Sequence, residues 1–305
     1  MKIGRLIGTT RVQDIWRRLV SSPVMQNWSW SPLVHRAFQK NRQFFESIEG
    51  NGLKSLLRLG ANKETNTTIA TNQYPSFDDP SLLPVLTLHV RRGDFVDHCK
   101  RLSEWKAAYS GLNSFPQFAE RDNFVVPKIV DGHFNVSTFP NGDPAQVESQ
   151  EAMWKVYQKH CYPEIEVMVE RVREVVTDFE KALREGKMAQ SSFWDRVKGG
   201  RNILSGNSKA LARKRLKKVY IMTNGNREWL DELKEAIIAD AKASKSPGGG
   251  GWDFEWEWED VSTNRNLQLG WEEKPVVQTL DMYVAQRSQL FVGNGVCFLS
   301  RVSPH

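Results

Sequence analysis

Two short apolar runs constrain what this chain can fold into. Val85-Leu86-Thr87-Leu88-His89-Val90 and Val219-Tyr220-Ile221-Met222-Thr223 are brief, rich in β-branched residues and apolar without strict alternation. That is the pattern of strands buried on both faces, as in a parallel sheet covered by helices. Each run stops at polar residues, Arg91-Arg92-Gly93-Asp94 after the first and Asn224-Gly225-Asn226 after the second.

Helical periodicity fills the intervals. Val147 to Leu183 reads as a helical segment interrupted at Pro163, with Ile165, Met168, Val169, Val172, Val175, Val176 and Phe179 forming one apolar stripe suited to core packing. Arg227 to Lys242 places Leu230, Leu233, Ile237 and Ile238 on one side. After a flexible Ser-Lys-Ser-Pro-Gly-Gly-Gly-Gly linker, Trp252 to Trp258 alternates aromatic with acidic residues, predicting a strand with one buried face. Pro275 to Gln289 reads as helix and Leu290 to Gly293 as a last strand, whereas Asp94 to about Asn141 reads as loop. The order strand, helix, strand, helix, strand, helix, strand predicts an α/β fold with a mostly parallel, Rossmann-like sheet. Such sheets bind ligands outside the carboxyl ends of their strands. Arg91 to Asp94, Thr223 to Gly225 and Asn294-Gly295 are therefore the places to look.

Residues 1 to about 60 read as partial helical structure, with Trp16, Leu19, Val34, Phe38 and Phe45 at helical spacings broken by Pro23 and Pro32. Gly60 to Pro84 is polar and loop-like, which sets an expected boundary between a region 1–80 and a domain 81–305. The chain has 42 basic and 36 acidic residues, a net charge of +6. Nine basic residues and no acidic one lie between Arg196 and Lys218, so the excess is local, and the stretch reads as a solvated insertion. A polyanion or nucleic-acid binder using that stretch is the remote alternative, since interleaved aromatics for base stacking are missing. The opening residues carry charges where a signal peptide has its apolar core, and no run has the length of a membrane span.

His89 and Arg91, two apart, share a strand face, and Arg92 is directed to the other. A guanidinium at a strand end offers a planar fork to two phosphate oxygens, which suits a diphosphate. Asp94 reads as an ion-pair partner of these arginines rather than as a general base. His98-Cys99 and His160-Cys161 form two similar pairs without the ligand spacing of a zinc site, and a Cys99–Cys161 disulfide is the stronger expectation for them. Asn27, Asn66 and Asn135 head glycosylation triplets compatible with an oxidising compartment.

Taken together, His89 to Phe95 (HVRRGDF), Val219 to Gly225 (VYIMTNG) and Asp281 to Gly295 (DMYVAQRSQLFVGNG) resemble, in order and spacing, three motifs of the GDP-fucose protein O-fucosyltransferases, particularly the fungal members. The resemblance covers about residues 81–297. It implies a two-domain GT-B type architecture with the nucleotide sugar held by a Rossmann-like domain. It implies inverting transfer of fucose from GDP-fucose to a hydroxyl of a protein or glycan, without a bound metal or other cofactor, in the lumen of the endoplasmic reticulum or Golgi. Arg91 matches the arginine that neutralises the departing diphosphate, with His89 beside it. Asp281 matches the acidic residue that helps hold guanosine, and its place at the start of a helix pattern also fits a plain cap. Asn294 and Cys297 fall in the third motif, Cys297 where the family has a serine. The family's Gly-rich, Asn-containing first-domain loop has no counterpart in residues 1–60, and small hydroxyl residues do not follow the Gly-Asn motif. The first domain and the C-terminal end are thus expected to be partial. The alternative function at this point is a non-catalytic nucleotide-sugar-binding or interaction module.

Overall fold

The computed structural model describes residues 18–19, 21–26, 29–46, 83–93, 95–107, 126–129, 146–147, 149–185, 216–246 and 251–293. Asp94, Asn294, Cys297, the asparagines of the three glycosylation triplets and the basic residues from Arg196 to Arg215 lie outside these residues.

The chain is an α/β protein built on a four-stranded, all-parallel sheet. After a single helical turn at Pro23–Gln26, α1 spans Pro32–Lys40 and β1 spans Leu83–Val90. Helix α2 covers Phe95–Glu104, and the two-residue strands β2 (Lys128–Ile129) and β3 (Gln146–Val147) pair with each other. Helix α3 (Gln150–Cys161), α4 (Ile165–Arg184), β4 (Lys218–Thr223), α5 (Arg227–Ala243), β5 (Asp260–Thr263), α6 (Val277–Arg287) and β6 (Ser288–Gly293) follow. The strand order is β5-β4-β1-β6. Connections run outward from β1 through β4 to β5, and the chain then returns to place β6 on the other side of β1. That reversal creates a topological switch point between β1 and β6, the Rossmann-like arrangement whose crevice receives ligands.

Helices cover both faces. Val172, Val175, Val176 and Phe179 of α4 and Leu230, Leu233 and Ile237 of α5 meet Leu86, Leu88, Val219 and Ile221 of the sheet in one core. On the other face, Val34 and Phe38 of α1 and Leu280, Tyr283 and Val284 of α6 meet Val85, Tyr220, Met222 and Phe291. Full burial of each such side chain contributes about 1.5–3 kcal/mol. The segment from Trp30 to Phe45 is thus packed directly on the sheet. Phe45 lies edge-on to Tyr220 at 4.9 Å, and Asn41 bridges the Ala37 and Gln268 carbonyls.

Local chemistry explains the helix ends. Ser31, Ser149 and Asn226 cap α1, α3 and α5 by accepting from Val34 N, Ala152 N and Trp229 N, and Pro32 opens α1 where its missing N–H is not needed. In β1, Pro84 cannot donate to the ladder, and the β1–β6 register shifts between Leu83 and Leu86.

Three expectations are corrected. The stretch after Arg91 is not loop throughout: Phe95, Cys99 and Leu102, at i, i+4 and i+7, bind α2 to Met153, Tyr157 and Cys161 of α3. The aromatic run Trp252–Trp258 is not a strand; β5 is the less apolar Asp260–Thr263 that follows it. Trp252, Trp256 and Trp258 are buried and Asp253, Glu255 and Glu257 exposed, because any extended chain alternates faces whether or not it joins a ladder. Ser244 takes the place of a neighbouring strand, accepting from Trp256 N at 2.7 Å and donating to Trp256 O at 3.1 Å. Third, Asp281 does not cap a helix. A 3₁₀ turn at Lys274–Val276 carries the chain into α6 at Val277, which leaves Asp281 within the helix.

Candidate functional site

The carboxyl end of β1 is the centre of the site. His89 pairs in register with Met222 of β4 and Gly293 of β6, so it stands where the switch-point crevice begins. Burial, and secondarily the charge of Arg91, holds its imidazole below the ordinary range, which leaves it neutral at pH 7. His89 Nδ1 is enclosed and has no hydrogen-bond partner among the described residues.

Arg91 and Arg92 part company as strand geometry requires. Arg91 is exposed, with its guanidinium carbon 5.0 Å from the Phe95 ring centroid at the start of α2. Arg92 is only 7% exposed and packs inward over the rings of Tyr162 and Trp229. Its described charged partner is Glu164, at 3.7 Å.

The ends of β1 and β4 are stitched together by Asn224, whose Oδ1 accepts from the Arg92 backbone N–H at 2.8 Å. Gly93 turns away from β1 with φ 56°, and a Cβ there would stand 3.2 Å from Asn224 Nδ2. Glycine therefore serves both the left-handed turn and the close approach of Asn224. Gly225 serves only space: a Cβ on it would fall 2.6 Å from Trp229 Cε3. The Gly225 N–H donates to Thr223 Oγ1 at 3.0 Å, which turns the chain from β4 into the capped first turn of α5.

Asp281 belongs to a second group on the α1/α6 face. Its Oδ1 accepts from the Tyr220 hydroxyl at 2.7 Å, and Asn264 also hydrogen-bonds to it. Burial outweighs both bonds and pushes its pKa up to about 7. Asn264 follows β5, donates to Thr223 O at 3.1 Å, and keeps an enclosed Oδ1 with no partner among the described residues. The sheet thus gathers His89, Arg91, Asn224 and Asn264 at the ends of β1, β4 and β5, with Asp281 joined to them through Asn264.

Sequence reasoning selected His89, Arg91, Asp281, Asn294 and Cys297, left Arg92 to pack elsewhere, and passed over Tyr220, Trp229 and Asn264. Asn224 lay in a stretch marked for inspection without a role. The signal for Asn264 was the polar stop after Val261-Ser262-Thr263, hidden because the neighbouring aromatic run took the strand assignment.

Cys99 and Cys161 are joined in a disulfide with Cα atoms 5.9 Å apart, which ties α2 to α3. Among the described residues no group of three or more His, Cys, Asp or Glu side chains is placed to hold a metal ion, and no helix is long and apolar enough to cross a membrane. An open groove of about 540 Å³ between α2 and α3, bordered by Asp97, Lys100, Glu104, Glu151 and Trp154, is separate from the strand-end site. No protein-family model, curated protein or solved structure matches this chain.

Proposed function

We propose that this chain is a GDP-fucose-dependent glycosyltransferase of the O-fucosyltransferase type, built on a GT-B architecture and transferring fucose with inversion to a hydroxyl acceptor on a protein or glycan. One observation carries the reading: an exposed arginine, Arg91, stands beside a neutral, half-buried histidine, His89, at the carboxyl end of the strand that borders the sheet's switch point. In an inverting transfer the acceptor hydroxyl attacks the anomeric carbon and releases its proton to solvent, and the bond from that carbon to the β-phosphate oxygen breaks. GDP leaves with the electron pair. Negative charge grows on the diphosphate, so a cation held there stabilises the transition state more than the bound donor. His89, neutral and with an enclosed Nδ1, adds a polar contact without a second positive charge. In this reading Asp281 and Asn264 lie toward the base end of the nucleotide, Asn264 with a side-chain oxygen that takes no hydrogen bond from the described residues.

Thermal unfolding in the presence of GDP and of GDP-fucose tests the reading. A ligand at a hundred times its Kd stabilises by about 2.7 kcal/mol, which a melting curve resolves readily. Both nucleotides are expected to raise Tm, GMP to raise it less, and Arg91→Ala to remove most of the difference between GDP and GMP. Absence of any shift with either nucleotide on folded protein overturns the proposal. Donor hydrolysis or transfer should fall by about 10²–10³ in Arg91→Ala, the cost typical of removing one such donor.

A further inference from the structure

Arg92 is held on several sides at the end of β1. Its guanidinium carbon lies 4.0 Å from the Tyr162 ring centroid and 4.7 Å from that of Trp229. Nη1 donates to Pro163 O at 2.9 Å and to Tyr162 O at 3.5 Å, Nη2 lies 3.7 Å from Glu164 Oε2, and the main-chain N–H donates to Asn224 Oδ1. Three parts of the molecule converge on this side chain: the corner between α3 and α4, the first turn of α5, and the end of β4. The corner is itself fixed, since Cys161 precedes Tyr162 and is bonded to Cys99 of α2. Phe95, which carries the Arg91 guanidinium, begins that same α2.

We propose that Arg92 is a positioning residue, which aims Arg91 at the switch-point crevice by bolting the end of β1 to the α3–α4 corner. The proposal rests on the reading of Arg91 as the cation that meets the diphosphate. Arg91 shares a peptide bond with Arg92, so every constraint on the Arg92 backbone limits the arc through which the Arg91 side chain swings. A side chain preset in this way loses less rotamer freedom when an anion binds, and affinity for the anion rises accordingly. Only arginine fits the bolt. Its flat guanidinium lies against two rings while its N–H groups reach the two carbonyls, whereas a lysine ammonium has neither the plane nor the fork.

Calorimetric titration of the full chain with GDP, guanosine and inorganic pyrophosphate separates positioning from bracing. Arg92→Lys is expected to weaken GDP and pyrophosphate by about tenfold, the size expected from freeing one long side chain, while guanosine affinity stays at the wild-type value. Tyr162→Leu, which keeps Arg92 and removes one ring face, should cause a smaller selective loss and serves if Arg92→Lys does not fold. Wild-type GDP affinity in both variants overturns the positioning role and leaves the reading of Arg91 intact. Equal loss of GDP and guanosine makes Arg92 a structural brace and also overturns it. A wild-type chain that binds neither GDP nor pyrophosphate overturns both proposals together.

Discussion

The Tyr220 hydroxyl donates a 2.7 Å hydrogen bond to Asp281 Oδ1, joining the middle of β4 to the helix that leads into β6. Burial drives both groups toward their protonated forms, Asp281 up to about 7 from an ordinary 3.8 and Tyr220 well above its usual value. A carboxyl that holds its proton more tightly when folded contributes stability that is fully present below about pH 4. That contribution is lost as pH rises toward 7. Each unit of the rise is worth about 1.4 kcal/mol. Asp281→Asn, which keeps an acceptor for Tyr220, is expected to flatten this part of the pH dependence and to be the more stable of the two at pH 8. Denaturant unfolding of both proteins from pH 4 to 8 checks this, and parallel stability curves would refute the assignment.

Gly225→Ala is expected to cost about 1–3 kcal/mol, as overpacking does in a tight site. The added methyl meets the Trp229 ring, and that ring lies beneath the Arg92 guanidinium with little room to retreat. Gly270→Ala is the control, because the nearest atom to its Cβ is the Glu273 carboxylate at 3.5 Å and its destabilisation should be under about 0.5 kcal/mol. Urea midpoints of the two variants settle the comparison.

Replacing Cys99 and Cys161 together by serine should lower stability by about 2–4 kcal/mol, since the bridge spans a sequence separation of 62 residues and restricts the unfolded chain. Reductant should lower the wild-type midpoint and leave that of the double variant unchanged. Peptide mapping without reduction tests the pairing itself.

Glu273 accepts from Lys40 Nζ and from Gly270 N–H, and these bonds hold its pKa below the ordinary carboxylate range. The stability it contributes is present above its unfolded pKa and is lost as pH falls through the lower folded value. Glu273→Gln is therefore expected to lower Tm at pH 7 and to have little effect near pH 3. A deficit that stays constant with pH would show that charge is not what ties α1 to the turn before α6.

Much of the sheet was legible because a strand buried on both faces leaves its mark in adjacent residues. The runs at 85–90 and 219–223 needed no partner to be recognised, and the stripe from Ile165 to Phe179 announced α4 in the same way. The strand at 260–263 was not legible. Asp260-Val261-Ser262-Thr263 is short and half polar, and it sits on the sheet because Val219 and Ile221 pair with it, a fact held 42 residues away. Helix α2 was hidden for a similar reason, since its apolar positions make sense only against α3.

Sequence alone determined the class of fold and that two adjacent arginines at a strand end would be directed to opposite sides, because alternation along a strand is a local rule. Tertiary structure decided what surrounds each of them. It buried Arg92 between Tyr162 and Trp229, left Arg91 exposed, and moved Asp281 from a supposed helix cap into a half-buried bond with Tyr220. These outcomes depend on side chains far apart in the chain, and burial and charge are properties of what those side chains enclose rather than of any one segment.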